Sequence, residues 1–215
     1  MERRWLITGC SSGLGLALAT AAAREGHRLA VTARNVDDLE RLSAAWPDHI
    51  IPVPLELRDS ASCEEAVRSA ADSLGGIDIL VNNAGCGLFD AVEEVSDAEL
   101  RDQLETLLVG PWRLTRLVLP LMRAQGHGHI LNVSSVAGRM AFPGLAAYVA
   151  GKHARSGTST VPLNASRRLG DSGTRGRLRT AAGGWFDTAR GDAEQVRPPD
   201  RRLALPAHRR CRRCR

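Results

Sequence analysis

The sequence predicts an α/β domain built on a doubly wound parallel sheet. Short apolar runs alternate with helical stretches along the first 153 residues. Strands that are separated by helices need crossover connections, so we expect them to pair in parallel with helices on both faces. The chain has 215 residues, of which 43% are hydrophobic and 25% charged, as is typical of one ordinary globular domain.

Five apolar runs are predicted as strands. Pro52 and Pro54 place the third run at an edge or an irregular position, because proline has no N–H to donate to a neighbouring strand. The stretches between the runs have helical spacing, and Gly26 and Gly75 are suited to end two of them. The predicted strands are Trp5–Thr8, Leu29–Thr32, Ile50–Leu57, Ile77–Val81 and Ile130–Val133. The predicted helices are Leu14–Glu25, Val36–Trp46, Ser60–Leu74, Ser96–Gly110 and Pro111–Gln125.

Two turns rich in small residues follow predicted strands. Thr8-Gly9-Cys10-Ser11-Ser12-Gly13-Leu14-Gly15 lies between the first strand and the first helix, where glycines allow close approach of a pyrophosphate to a helix N-terminus. Asn82-Asn83-Ala84-Gly85 follows the fourth strand, at the sheet edge where open α/β sheets bind ligands. Taken singly, each is also compatible with a plain turn.

A possible acid–base pair lies further along the chain. Tyr148 and Lys152 are four residues apart, so on a helix they share one face. A cation near a phenol favours the phenolate, which prepares the group for proton exchange with a substrate oxygen. Thirteen residues before Tyr148, the Ser135 hydroxyl follows the fifth strand and is suited to hydrogen-bond that oxygen, or else to cap the strand end.

Together, in this order, these elements resemble the short-chain dehydrogenase/reductase family. The resemblance covers about residues 4–157 and includes Thr8–Gly15, Asn82–Gly85, Ser135, Tyr148 and Lys152. It implies a Rossmann-like sheet, a nicotinamide cofactor and hydride transfer to or from an alcohol or carbonyl carbon. In that family Tyr148 would be the general acid/base, Lys152 would lower its pKa and hold the nicotinamide ribose, and Ser135 would position the substrate oxygen.

The resemblance also implies a set of cofactor-binding residues. They are Gly9, Ser11, Ser12, Gly13, Leu14, Gly15, Arg34, Glu56, Leu57, Asn83, Ala84, Gly85, Tyr148 and Lys152. Arg34 follows the second strand, where a planar cation suits a 2′-phosphate, so we predict NADP rather than NAD. The nearby Asp37 keeps an NAD alternative open.

The sequence departs from the family at two positions of the predicted site. Glu56 stands where the family usually has an Asp near the adenine. Leu107 stands where the family usually has an Asn that holds a water in the proton relay beyond the lysine. Because leucine neither donates nor accepts a hydrogen bond, we expect a slower proton-transfer step.

The last part of the chain departs from the family altogether. Residues 1–153 hold 14 basic and 19 acidic residues, whereas residues 154–215 hold 15 arginines and 5 acids. We therefore divide the chain into a dinucleotide-binding and catalytic domain, 1–157, and an Arg-rich tail, 158–215, expected to be poorly ordered with incomplete C-terminal strands and helices. Gly183–Thr188 is a degenerate match to a family turn, and Cys211 and Cys214 lack the further ligands of a zinc site, so no metal is predicted.

Two explanations of the tail compete. Arg, Ala, Gly and Pro are the residues that GC-rich codons yield out of frame, which indicates a frameshift near residue 155, the explanation we favour. The alternative is a basic tail that binds an acidic partner or nucleic acid. If the tail lacks the family's last elements, one edge of the sheet and a wall of the substrate pocket are missing, and dimer packing through the Tyr148 helix is weakened.

The function predicted from the sequence is thus an NADP-dependent oxidoreductase acting on a small alcohol or ketone, with activity that is impaired. A non-catalytic dinucleotide-binding remnant and a nucleic-acid-binding tail are the alternatives. No stretch reaches the ~18 apolar residues of a membrane helix, and the N-terminus has no export signal, so we expect a cytoplasmic protein without membrane contact.

Overall fold

A six-stranded parallel sheet forms the centre of the molecule. The computed structural model describes residues 2–159 and the short strand 178–180. The strands are β1 (Arg4–Ile7), β2 (Arg28–Ala33), β3 (Ile50–Pro54), β4 (Ile79–Asn82), β5 (His129–Asn132) and β6 (Leu178–Thr180). Their order across the sheet is β3-β2-β1-β4-β5-β6, and every neighbouring pair is parallel.

Helices connect the strands and cover both faces of the sheet. They are α1 (Gly13–Arg24), α2 (Glu40–Ala45), α3 (Ser60–Leu74), α4 (Asp97–Leu104), α5 (Gly110–Gln125) and α6 (Ala146–Ser159). Helix α3 begins where the Asp59 carboxylate accepts the Ala61 N–H at 2.9 Å, and it ends at Gly75, whose φ of 75° is in the left-handed region. These are the capping groups that fix a helix at both ends.

The core consists of two apolar layers, one on each side of the sheet. Because successive strand residues point to opposite faces, Leu6 packs into one layer and its neighbour Ile7 into the other. The first layer holds α3 and α5, through residues such as Val67 and Leu114, and the second holds α1. The predicted doubly wound parallel architecture is therefore confirmed for the described residues.

The edge position of β3 also agrees with the prediction from its prolines. Pro52 and Pro54 lie in β3, which pairs on one side with β2 and is the last strand of the sheet. The strand ends at Pro54, so the predicted run to Leu57 is three residues too long. Residues 55–58 instead enter the loop that lines the candidate site.

Three predicted elements differ in detail. The predicted helices Ser96–Gly110 and Pro111–Gln125 form one continuous helical run, in which a π-helical turn, Glu105–Val109, joins α4 to α5. The predicted helix Val36–Trp46 is a short 3₁₀ turn, Val36–Leu39, followed by α2. In the tail, β6 pairs with β5, although the sequence predicts no regular strand there.

The other predictions for the tail concern residues outside the described ranges. These are the degenerate turn Gly183–Thr188, the pair Cys211 and Cys214, and the domain assignment of most of residues 158–215. Among the described residues, no helix is both long and apolar enough to cross a membrane. Within the same ranges there is no group of three or more His, Cys, Asp or Glu side chains placed to hold a metal ion.

Candidate active site

An open cleft of about 660 Å³ lies at the carboxyl ends of the strands. Parallel sheets bind ligands at this edge, and the volume is within the usual range of ligand pockets. The cleft brings together residues that are far apart in the chain. Of the predicted site residues, those that line it are Gly9, Ser11, Ser12, Gly13, Leu14, Arg34, Glu56, Leu57, Asn83, Ala84, Gly85, Tyr148 and Lys152, whereas Gly15 and Ser135 do not.

The glycine-rich loop lies close against the turn that follows β4. Gly9 and Gly13 have φ angles of 71° and 61°, in the left-handed region that favours glycine. A Cβ on Gly9 would lie 2.9 Å from the Cα of Ala84, and one on Gly15 would collide with the carbonyl oxygen of Gly9. Side chains at these positions would therefore push the loop away, and Gly15, although outside the cleft, allows the loop its shape.

Thr8 and Asn83 fasten these two segments together. The Thr8 hydroxyl oxygen accepts the backbone N–H groups of Asn83 at 3.0 Å and Ala84 at 2.9 Å. In return, the Asn83 Nδ2 donates to the carbonyl oxygens of Thr8 at 2.9 Å and Gly9 at 3.1 Å. The sequence gives Thr8 no role of its own and predicts that Asn83 contacts the cofactor. In the structure, both side chains also hold together two segments next to the cleft.

Tyr148 and Lys152 lie on one face of α6 and both line the cleft. The Lys152 Nζ is 5.6 Å from the centre of the Tyr148 ring and donates to the Val133 carbonyl oxygen at 3.0 Å. Lys152 is buried, with 4% of its surface exposed. Burial, together with the nearby charge of Arg155, lowers the pKa of Lys152 to about 7. The ammonium group is thus poised to change charge near neutral pH.

Ser135 is held differently from Tyr148 and Lys152. Its hydroxyl oxygen accepts the Ala137 N–H at 3.2 Å and so caps the 3₁₀ turn Val136–Gly138. The sequence alternative was a cap of the strand end, and the cap that the structure contains is at the start of the 3₁₀ turn. The preceding residue, Ser134, does line the cleft, and its hydroxyl lies 2.7 Å from that of Ser156.

Leu107 lies beneath the pair, in the π-helical turn. It is fully buried. A Cβ on Gly85 would lie 2.7 Å from Leu107 Cδ2, and one on Gly151 would lie 2.8 Å from Leu107 Cδ1. The two glycines therefore leave room for the leucine side chain, which forms an apolar floor next to Lys152. π-Helical turns frequently occur at functional sites, and this one sets the position of Leu107.

The other end of the cleft is lined by charged residues. Glu56 binds Arg58 through its carboxylate oxygens, with Oε1 accepting Nε at 3.1 Å and Oε2 accepting Nη2 at 3.0 Å. Burial raises the pKa of Glu56, but the hydrogen bonds from Arg58 outweigh it, so the pKa is lowered overall. Arg34 lines the same end together with Asp38, whereas Asp37, which left the NAD alternative open, does not.

Comparison with known families places these features in context. The model of the short chain dehydrogenase family matches residues 3–164, about three quarters of the chain. Among curated proteins, oxidoreductase BOA17 of Botryotinia fuckeliana is 40% identical over 162 residues, which cover 75% of this chain and 59% of that protein. A dehydrogenase/reductase SDR family protein 7-like of Anopheles gambiae is 42% identical over 158 residues, covering 69% and 50%.

Solved structures share the fold. A short-chain dehydrogenase from Streptomyces avermitilis is 41% identical, with a TM-score of 0.70, and the match covers 72% of this chain and 57% of that one. An alcohol dehydrogenase from the archaeon Thermococcus sibiricus, complexed with 5-hydroxy-NADP, is 32% identical with a TM-score of 0.69, covering 74% and 69%. The chain spans between half and three fifths of the length of these two curated relatives.

Proposed function

Because the chain belongs to the short-chain dehydrogenase/reductase family, we propose that it is an NADP-dependent oxidoreductase that acts on a small alcohol or carbonyl compound. One observation carries the proposal. The Tyr148–Lys152 pair lines the same cleft as the glycine-rich loop, so an acid–base group lies within the site that would hold a dinucleotide.

The cleft fits a nicotinamide dinucleotide. Gly9 and Gly15 let the loop pack closely against itself and against the turn after β4, and the loop leads into the N-terminus of α1 at Gly13. Backbone N–H groups and the positive end of the helix dipole there suit a pyrophosphate. When bound, such a cofactor supplies or accepts the hydride. Lys152 is placed to hold the nicotinamide ribose, as the family resemblance implies.

The residues of the chain handle the proton. In the direction of reduction, the Tyr148 hydroxyl donates its proton to the substrate oxygen as the carbon receives the hydride, and oxidation reverses both transfers. The Lys152 ammonium stabilises negative charge that develops on the phenol oxygen. Ser135 does not line the cleft, but its oxygen accepts the bond that caps its turn, so the cap does not use its O–H, which the family resemblance assigns to the substrate oxygen.

Arg34 supports NADP rather than NAD. It follows β2 and lines the far end of the cleft from Tyr148. A guanidinium matches the geometry and charge of a 2′-phosphate. A related alcohol dehydrogenase from Thermococcus sibiricus is complexed with 5-hydroxy-NADP. The neighbouring carboxylate of Asp38 is the feature that would favour an NAD ribose instead.

A second candidate function is dinucleotide binding without turnover. It is favoured by Leu107, which places a fully buried hydrocarbon where the family's proton relay has an amide. Under this alternative the cleft holds its cofactor, but the proton of Tyr148 is not replaced from solvent at a useful rate. Binding and turnover therefore have to be measured separately.

The decisive experiment follows NADPH oxidation by the full chain across a panel of ketones, and NADP reduction with secondary alcohols. We expect turnover with NADPH to exceed that with NADH, and Tyr148→Phe to lower it by at least a hundredfold, since a positioned acid contributes ~10²–10⁴. The phenylalanine keeps the ring, so it should bind NADPH normally. Equal turnover in wild type and Tyr148→Phe would contradict the proposal, and a clear preference for NADH would overturn the cofactor assignment.

A further inference from the structure

A second cation, Arg155, is buried directly behind the proposed site. It lies on α6, three residues after Lys152, and only 1% of its surface is exposed. Charged side chains are almost never buried to this extent unless the protein satisfies their donors. Arg155 donates from Nη2 to the Asn82 carbonyl oxygen at 2.9 Å, and from Nη1 to those of Ala84 at 3.4 Å and Val133 at 3.5 Å.

These carbonyl groups belong to two neighbouring strand ends. Asn82 is the last residue of β4, Ala84 lies in the turn after it, which also contacts the glycine-rich loop, and Val133 follows β5. The Val133 carbonyl also accepts the Lys152 ammonium at 3.0 Å. The planar guanidinium carries five N–H donors in fixed directions and bridges the two strand ends. It shares one acceptor, the Val133 carbonyl oxygen, with Lys152.

Arg155 also affects the charge of Lys152. Burial is the larger cause of the lowered pKa of Lys152, about 7, and the positive charge of Arg155 lowers it further. Burial lowers the pKa of Arg155 as well, to about 10, with Tyr148 acting in the opposite direction. Above neutral pH, therefore, Lys152 loses its charge first, and Arg155 keeps the site positive.

The other ionisable side chains on the elements packed against α6 are held elsewhere. Glu105 in the π-helical turn accepts Arg113 at 2.7 Å, and Tyr148 shares the Lys152 face of α6. The Arg179 side chain on β6 lies outside the described side chains. The remaining ionisable side chains on α4, β5 and α6 are exposed or half-buried. They are Asp97, Glu99, Arg101, Asp102, His129 and His153.

We propose that Arg155 is a positioning residue of this site, which ties the end of β4 and the turn after it to the end of β5 and places a second positive charge beside Lys152. This inference rests on the proposed function only where it concerns the cofactor. The tie and the charge are properties of the chain alone, so they are open to measurement without turnover.

The sequence offers a direct probe, because Lys152 is the only lysine in the chain. Lysine labelled with ¹³C at Cε gives one side-chain resonance, whose pH titration in the absence of cofactor reports the Lys152 pKa. We expect a midpoint near 7 in the wild type and a midpoint higher by roughly one pH unit in Arg155→Met, because a neighbouring like charge has been removed. The exposed Arg116 provides the control, and Arg116→Met should leave the midpoint unchanged.

Two further variants separate the charge from the tie. Arg155→Lys keeps the charge but does not reach three carbonyl groups, so NADPH affinity should fall several-fold. This variant adds a second lysine resonance, and the resonance at the wild-type Lys152 shift should keep a midpoint near 7. Arg155→Gln replaces Arg155→Met if the latter gives no cooperative melt. An unchanged midpoint on removal of the Arg155 charge would overturn the inference, as would full NADPH affinity in Arg155→Lys. Failure of the wild type to bind NADPH would overturn the proposed function and leave the titration result standing.

Discussion

Leu107 shows how one residue sets the chemistry available to its neighbours. It fills the space between Gly85 and Gly151 and is fully buried, so that space holds hydrocarbon. The family's usual asparagine would offer an amide there. The same space that now holds two methyl groups would then hold a donor and an acceptor for a water in the relay.

At this position we predict that Leu107→Asn raises turnover with NADPH roughly tenfold, because proton supply to Tyr148 becomes faster. The gain should come with a loss of stability of about 1–3 kcal/mol, the cost of a buried amide that is incompletely satisfied. Leu107→Met is the matched control, since it keeps the volume and adds no hydrogen-bonding group, so it should not raise the rate. A turnover that is the same in Leu107→Asn and wild type would contradict this account of the slow step.

Single residues also mark the limit of what could be predicted from the sequence. The shared face of Tyr148 and Lys152 was predictable from helical spacing, whereas their expected roles came from the family resemblance, because this spacing alone is common on solvated helix faces. Arg155 was not, since a charged residue in an Arg-rich segment is expected to face solvent. Ser135 fits the family spacing, but its hydroxyl is used to cap a 3₁₀ turn, a local contact that spacing does not reveal.

At the scale of elements, side-chain hydrogen bonds join the amino ends of the strands. Asp78, next to β4, accepts the backbone N–H of Arg4 at 2.9 Å, its Nε at 3.1 Å and the His127 Nε2 at 2.9 Å. Arg4 also donates to the Gly75 carbonyl oxygen at the end of α3. Burial raises the pKa of Asp78, but the hydrogen bonds from Arg4 and His127 outweigh it and hold the pKa at about 2.

This lowered pKa predicts an acid-dependent contribution to stability. The carboxylate stabilises the fold fully above its ordinary value of 3.8, and the contribution is lost as the pH falls toward 2. Asp78→Asn should therefore lower the free energy of unfolding by about 2 kcal/mol at pH 7, with the difference from wild type shrinking below pH 4. Urea unfolding at a series of pH values measures this difference in the free energy of unfolding. Asp72→Asn, which changes an exposed carboxylate, is the control. A deficit that is independent of pH would show that the ionised carboxylate is not the cause.

Element boundaries were predictable where a local signal exists. Helix α3 has the predicted bounds because Asp59 and Gly75 cap it, and β3 lies at an edge because its prolines lack N–H groups. The π-helical turn at Glu105–Val109 was missed because periodicity resolves helix from strand but not one helical hydrogen-bond pattern from another. The strand β6 was missed because a three-residue strand in a Gly- and Arg-rich segment has no measurable alternation.

At the scale of the whole molecule, two apolar layers enclose a parallel sheet, and the proposed cofactor site spans the ends of five strands, from Leu55 after β3 to Ser134 after β5. The layers and the strand order follow from the alternation of strands and helices, so the fold was predictable over the matched part of the chain. The substrate was not, since the chain covers only part of its relatives' length.

The two core layers predict how the whole molecule unfolds on heating. The two core layers and the cleft lie within residues 2–159, so the full chain should melt cooperatively, and saturating NADPH should raise the midpoint. At a hundredfold excess over the dissociation constant, a ligand that binds the native state adds about 2.7 kcal/mol, or roughly 5–10 °C for a chain of this length. Arg34→Gln should gain less from NADPH, measured as the rise above its own melting temperature without ligand. A cooperative melt that NADPH does not shift would exclude NADPH binding, and a chain without a cooperative melt would mean that the layers do not assemble on their own.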